Sequence, residues 1–323
     1  MITGYAVSQA IFVVAKLNVA EQLAMGPVPV EDLARKAKAD PDALYRVLRA
    51  LASVGVFTET TPRRFSNTPM SECLRPGVPG SQHAGALMIA SLCYPAFGEL
   101  PWSTATGKPG FDKVFGAPIF DYLTKHPEEG RCFDQAMSSI HGPETPAMVE
   151  AYSFARFQTI VDIGGGNGST LIEVLRSAPK ARGIVFDLPG VVARAESTIR
   201  DAGLGDRCRV EGGSFFESVP KGADAYILRH IVHDWDDKKS IEILRRCREA
   251  MAPGGKVLVV ESVVPTGDEP HPSKWLDIIM LAVPGGRERT RAEYETLFAS
   301  AGLKLERIVA TRSPVSVVEA VAK

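Results

Sequence analysis

The run FQTIVDIGGGNGSTLIEVLRSA, from Phe157 to Ala178, decides the fold. It opens as a short β-branched strand, FQTIVDI, and closes as an amphipathic helix, STLIEVLRSA. Between them lies Asp162-Ile163-Gly164-Gly165-Gly166-Asn167-Gly168. Glycines at a strand-to-helix junction let the backbone turn tightly and approach a ligand closely, and the helix N-terminus presents unpaired N–H groups. This context points to a nucleotide-type ligand. A dinucleotide fingerprint needs G-x-G-x-x-G, but the sixth position counted from Gly164 is Ser169. The pattern present is D-x-G-x-G-x-G.

Toward the C-terminus the texture repeats: RGIVFD, a helix from about Val191 to Ala202, CRVE, DAYILR, a helix from about Lys238 to Met251, then KVLVVES. Such alternation implies an α/β fold, a mainly parallel sheet with helices on both faces. The last two β-rich runs, LKLERIVAT and VSVVEAVA, are separated by Arg312-Ser313-Pro314, too tight for a crossover helix. They are expected to pair antiparallel at one edge. Asp187 ends the strand that follows the glycine loop, 19 residues past Gly168. A carboxylate there either accepts both hydroxyls of a ribose or caps the next turn.

Toward the N-terminus the pattern is helical. In YAVSQAIFVVAKLNV, Tyr5 to Val19, 11 of 15 residues are apolar and the polar ones do not share a face, so this helix wants cover on nearly all sides. Two amphipathic helical patterns follow, joined at Ala39-Asp40-Pro41, with Asp40 as N-cap and Pro41 in the first turn. The second stops at Gly55, and residues 56–69 read as a short hairpin. Helix, helix and two-stranded wing make a winged helix-turn-helix pattern. Such a module either reads DNA or serves packing and dimerisation. From Glu31 to Arg75 there are eight Lys/Arg against six Asp/Glu, and the second helix opens on Asp42. A DNA reader usually carries a denser basic stripe, so the footprint favours the packing and dimerisation reading over a winged-helix regulator. Residues 76–155 are helix-rich with Pro-Gly punctuation.

Composition bounds the rest. The 323 residues carry 45% apolar and 23% charged side chains with net charge −1, which suits a buried core and points to neither a polyanion nor a membrane surface as partner. Five cysteines (73, 93, 132, 208, 247) without a CxxC pair suggest neither a disulfide framework nor a structural zinc site, so a reducing cytoplasm is expected. No apolar run reaches the roughly 18 residues of a membrane span.

The ordered set VDIGGGNG, an acidic strand end at FDLPGVV, PGGKVLVVE and a final hairpin resembles S-adenosylmethionine-dependent methyltransferases of Rossmann-like fold. Together with Arg229-His230-Ile231-Val232-His233-Asp234-Trp235-Asp236-Asp237, VVESVVP and PGGRERT, it resembles the plant caffeic-acid/isoflavone type of O-methyltransferase and its bacterial relatives acting on specialised metabolites. The resemblance implies a winged-helix dimerisation region over 1–75, a helical linker and acceptor-binding region over 76–150 and a methyltransferase domain over 151–323. It implies a homodimer, S-adenosylmethionine as cofactor, no metal, and a small aromatic hydroxylated acceptor. Nucleic acid and membrane are not expected partners.

His233 lies just past DAYILR, Glu261 ends VLVVE and Glu288 follows the Pro284-Gly285-Gly286 turn, so all three are expected at the carboxyl edge of the sheet, where open α/β folds bind ligands. A histidine there can act as general base, with a carboxylate fixing its tautomer. The resemblance gives His233 the role of deprotonating the acceptor hydroxyl, with both glutamates flanking it. It places Asp162, Gly164, Gly166, Gly168, Asp187, Ser214, Phe215, Arg229 and Trp235 around the cofactor. Plant members commonly carry Asp where Ser214 stands and often Lys in place of Arg229. It offers Phe133, Met137, His141 and Met280 for the acceptor. Phe133 and Met137, spaced i, i+4, either sandwich an aromatic ring or pack a core. Asp234 either contacts the acceptor hydroxyl or caps the helix opening near Asp236. His230 reads as structural. No HExxH or His-x-His spacing suggests a metal.

Overall fold

The computed structural model describes residues 2–323, in two compact units: residues up to Trp102 with Gly110–Gly142, and Ser103–Pro109 with Pro143–Lys323. The helical stretch 76–150 thus contributes to both. Its last helix, Glu144–Ala151, belongs to the sheet unit because Met148 is fully buried in that unit's core.

In the first unit, helices Val30–Ala37 and Pro41–Ser53 precede a hairpin of β2 (Phe57–Thr61) and β3 (Arg64–Asn67), and a short β1 (Val28–Pro29) pairs antiparallel with β3. The third strand had no signal of its own in the sequence. Asp40 caps its helix by accepting the Ala43 N–H at 2.7 Å, and Pro41 occupies the first turn. Leu33, Leu44, Leu48, Leu51, Phe57 and Phe65 close the core. The first helix, expected to reach Val19, ends at Lys16, because Asn18 adopts a left-handed φ of 50° that no α-helix continues through. Arg63 of the wing is tied to Glu31 (2.6 Å) and Asp42 (3.0 Å) of the two preceding helices.

The second unit holds a seven-stranded sheet. Its strands are β4 (Thr159–Ile163), β5 (Arg182–Asp187), β6 (Cys208–Gly212), β7 (Ala225–Arg229), β8 (Lys256–Glu261), β9 (Leu303–Ala310) and β10 (Ser316–Ala322), in the order β6-β5-β4-β7-β8-β10-β9. The first five pair in parallel; β10 runs antiparallel between β8 and β9, so β9 takes the edge. Strands buried on both faces must be apolar on both, and Ile160 and Val161, Ile227 and Leu228, and Val257 and Leu258 send alternate side chains into two separate cores. Strand order reverses at β4, where chain leaves to β5 on one side and β7 on the other. A cleft opens at such a switch point, beyond the carboxyl ends. The helix expected over 191–202 is broken into Pro189–Val192 and Ala195–Asp201. No helix among the described residues is long and apolar enough to cross a membrane.

Candidate active site

The glycine loop leaves β4 and is pinned by its neighbour: the Gly164 and Gly165 N–H groups donate to Phe186 O at 2.8 and 3.2 Å. Asp187, at the end of β5, accepts the Gly166 N–H at 2.9 Å and the Leu188 N–H at 2.7 Å. Gly164 is required twice over: its φ is 69°, and a Cβ would overlap the Ile231 side chain. A Cβ on Gly166 would meet nothing, so the loop faces open space there. Gly168, φ 80°, is the N-cap residue of helix Ser169–Ser177. Beneath the loop Asp162 is 2% exposed, and its Oδ2 has no hydrogen-bond partner. Burial pushes its carboxyl up to about 7, against the pull of Arg229 and with a further push from Asp187. A buried carboxylate with a vacant lone pair is a receptor for a cationic donor.

Aromatic rings flank the loop. Phe215 and Phe216 meet Trp235 edge-on at 6.2 and 5.0 Å. Phe216 was not singled out in the sequence. The Ser214 hydroxyl accepts the Phe216 N–H at 3.3 Å, which fixes the approach of these rings. Arg229, expected near the cofactor, donates to Thr170 Oγ1 (3.1 Å) and Glu144 Oε2 (2.8 Å), which ties it to a buried carboxylate and to the helix behind the loop.

The second element of the site leaves β7. His230 turns the chain with φ 54°, and its Nε2 lies 2.7 Å from Glu144 Oε2. His233 follows in the 3-10 turn Val232–Asp234, buried to 5% exposure. Its Nδ1 is 2.6 Å from Glu288 Oε1, a pairing that places a proton on Nδ1 and leaves Nε2 for chemistry. Nε2 lies 3.6 Å from Asp234 Oδ1. Burial alone would lower the His233 pKa; the Asp234 charge, the Glu288 hydrogen bond and the charges of Glu261 and Glu288 outweigh it and raise the ring to about 10.

Of the two glutamates expected to flank His233, Glu261 meets its backbone: Oε1 accepts the N–H groups of Ile231 (3.2 Å) and His233 (3.0 Å), and Oε2 accepts the Tyr294 hydroxyl (2.7 Å). It ends β8, beside β7 in the sheet, so it meets the backbone of the turn and not the ring. The capping alternative for Asp234 fails because Asp236 itself caps helix Asp237–Ala250, accepting the Lys239 N–H at 2.8 Å. Asp234 is left beside the His233 ring, its carboxyl pushed up to about 7 by burial against the opposing charge of His233.

The Pro284-Gly285-Gly286 turn docks on this segment. A Cβ on Gly286 would overlap the His233 carbonyl oxygen, and the Arg287 N–H donates to that same oxygen at 2.8 Å. Asp277 accepts the Glu288 N–H at 2.9 Å. Met280, buried, accepts the Gly285 N–H at 2.8 Å and so sits at the start of this turn. Phe133, Met137 and His141 lie on helix Pro127–His141 of the first unit, all half-buried, with Phe133 edge-on to Phe120 at 6.4 Å. Glu144, Asp277, Arg289 and Tyr294 escaped the sequence reading. Arg289 alone had a usable signal, its place in PGGRERT; the others carry no local pattern.

Residues 97–304 match the model of an O-methyltransferase domain and residues 1–76 that of an O-methyltransferase dimerisation domain. The chain is 48% identical to phenazine O-methyltransferase PhzM of Lysobacter antibioticus, over 99% of this chain and 94% of the relative. It is 32% identical to phenazine-1-carboxylate N-methyltransferase of Pseudomonas aeruginosa, over 96% and 92% of the two chains. It superposes on the crystal structure of the O-methyltransferase NcsB1 from neocarzinostatin biosynthesis, in complex with S-adenosylmethionine and a hydroxy-methyl naphthoic acid. The TM-score is 0.87 at 34% identity, covering 98% of this chain and 96% of that one. Glycine loop, paired acids, buried His–Glu pair and dimerisation module therefore have one reading: this chain is a methyltransferase that uses S-adenosylmethionine and belongs to the O-methyltransferase family.

Proposed function

We propose that the protein methylates a hydroxyl, phenolic in character, of a small aromatic specialised metabolite, with His233 as general base. The observation that carries this is the buried His233–Glu288 pair at 2.6 Å. Bound S-adenosylmethionine supplies a sulfonium methyl that is already electrophilic, so the chain is asked only to align the acceptor and take its proton. Asp162 and Asp187 offer carboxylates for the ammonium and ribose groups. Gly164, Gly166 and Gly168 admit the cofactor to the backbone, while Ser214, Phe215 and Trp235 border the base. Arg229 acts behind them by holding the loop helix.

His233 Nε2 accepts the hydroxyl proton, and the imidazolium so formed is stabilised by Glu288 on Nδ1 and by the Asp234 charge. The Asp234 and Glu288 charges favour the protonated ring, and a cation bound in the adjoining cleft would oppose that protonation. Phe133, Met137, His141 and Met280 are assigned to the acceptor, with Asp234 at the reacting hydroxyl. Dimerisation is assigned to 1–75, acceptor binding to 76–150, methyl transfer to 151–323, and the working form to a homodimer.

The N-methyltransferase among the relatives supports a second reading, transfer to nitrogen. A ring nitrogen with a free lone pair needs no base, and it is the His–Glu pair that favours oxygen. His233→Ala separates them: turnover on phenols falls by at least roughly 10²-fold while cofactor affinity, measured by calorimetry, holds. A parental rate would remove the base.

A further inference from the structure

We infer that Arg289 is a positioning residue for the catalytic base, a reading that rests on His233 acting as that base. Its side chain is fully buried, yet it is a cation. Burying a guanidinium is costly unless every donor is used, and here the donors are used on the turn that carries His233. Nη1 donates to Val232 O at 3.1 Å and to Arg287 O at 3.3 Å; Nη2 donates to Trp235 O at 3.1 Å and Ser240 Oγ at 3.2 Å. Nε and Nη2 reach Asp237 Oδ1 at 3.2 and 2.8 Å.

Val232 and Trp235 flank the His233-Asp234 pair, so one planar fork bridges both ends of the turn. A purely structural ion pair would need Asp237 alone. The same four-residue segment supplies three more grips on His233: Gly286 gives room for its carbonyl, the Arg287 N–H bonds that carbonyl, and Glu288 bonds the ring, while Glu261 takes the backbone N–H from β8. Ring and carbonyl are therefore registered from one piece of chain, and Arg289 sets the pitch of the turn against the Glu288 carboxylate. Lysine keeps the charge but cannot span two carbonyls.

The test is a double-mutant cycle in the full-length enzyme with a phenolic acceptor, combining Arg289→Lys with His233→Ala. Arg289→Lys is expected to lower kcat about 10–10²-fold, since a misplacement near 1 Å costs about 10²-fold. The acceptor KM and the S-adenosylmethionine Kd should stay within about threefold, and the acid limb of the pH–rate profile should move as the ring loses its register with Glu288. In the His233→Ala background the same substitution should cost less than about threefold, because there is no base left to aim. Equal losses in both backgrounds, or a kcat loss matched by lost cofactor binding, overturn the inference and leave Arg289 structural. A parental rate for His233→Ala overturns the base reading and this one with it, a different pattern from equal losses. Should Arg289→Lys fail to fold, Asp237→Asn serves in its place, since Asp237 is half exposed and aims the guanidinium. It should lower kcat about three- to tenfold with the same dependence on His233; equal losses in both backgrounds again overturn the inference.

Discussion

The loop at 162–168 and the turn at 229–237 leave neighbouring parallel strands, β4 and β7, at the same edge of the sheet. They are built in opposite ways. The loop is shaped by backbone: positive-φ glycines, two N–H bonds to Phe186 O and an open face at Gly166. The turn is shaped by side chains brought from far along the chain: Glu261, Glu288, Arg289 and, through His230, Glu144. A backbone cradle suits a ligand that is the same in every turnover. A turn held by remote residues lets the geometry of His233 be tuned without touching the glycine loop, and exposes it to damage from mutations elsewhere.

The difference can be broken from the catalytic side first. Glu288→Gln should cut kcat roughly 10²–10³-fold, since the base loses its tautomer anchor. It should also shift the pH profile: activity requires the neutral ring, so it rises with pH, and the Glu288 hydrogen bond and charge push that rise upward. Without them the ring pKa falls, and the acid limb of Glu288→Gln should lie at lower pH than the parent's. An unmoved limb would detach Glu288 from the titrating group.

Gly286→Ala should come next, with kcat down about 10²-fold, because its Cβ meets immovable backbone at His233 and the turn must shift by an ångström or so. Cofactor affinity, read by calorimetry, should hold; a matching loss would mean that loop and turn are not independent. Gly164→Ala sharpens the comparison from the other side. Left-handed strain of about 1–2 kcal/mol at φ 69° should weaken S-adenosylmethionine binding roughly tenfold. Since the clash is with the flexible end of Ile231, kcat should fall only a few-fold. Smallest of all, Asp40→Ala removes a helix cap in the other unit and should cost about 1 kcal/mol of stability in thermal unfolding with kcat unchanged.

Legibility followed the same division. The Asp40 cap, the hairpin after Gly55, the glycine loop and the alternation from Phe157 onward are patterns within a few residues, and all took the expected form. The breaks at Asn18 and after Val192 were missed because apolar periodicity runs through both, and nothing in that periodicity marks the left-handed conformation Asn18 adopts. In the site, His233 and Glu288 could be placed near one another by topology, since strand ends gather at one edge. Which glutamate would meet the ring could not: Glu261 and Glu288 are equal in sequence, and the register of β8 against β7 turns one of them to the backbone.

By itself the sequence determined the mainly parallel α/β sheet and the glycine loop, because each is written in short-range periodicity or in a contiguous motif. The tertiary structure alone decided that Glu144 pairs with both Arg229 and His230, that Asp236 and not Asp234 caps its helix, and that Arg289 spans the turn that carries His233. The physical reason is that buried polar groups must find partners wherever the fold offers them. Those partners lie at sequence separations of 85 for Glu144–Arg229 and 54 for Arg289–Trp235, where no local pattern reaches.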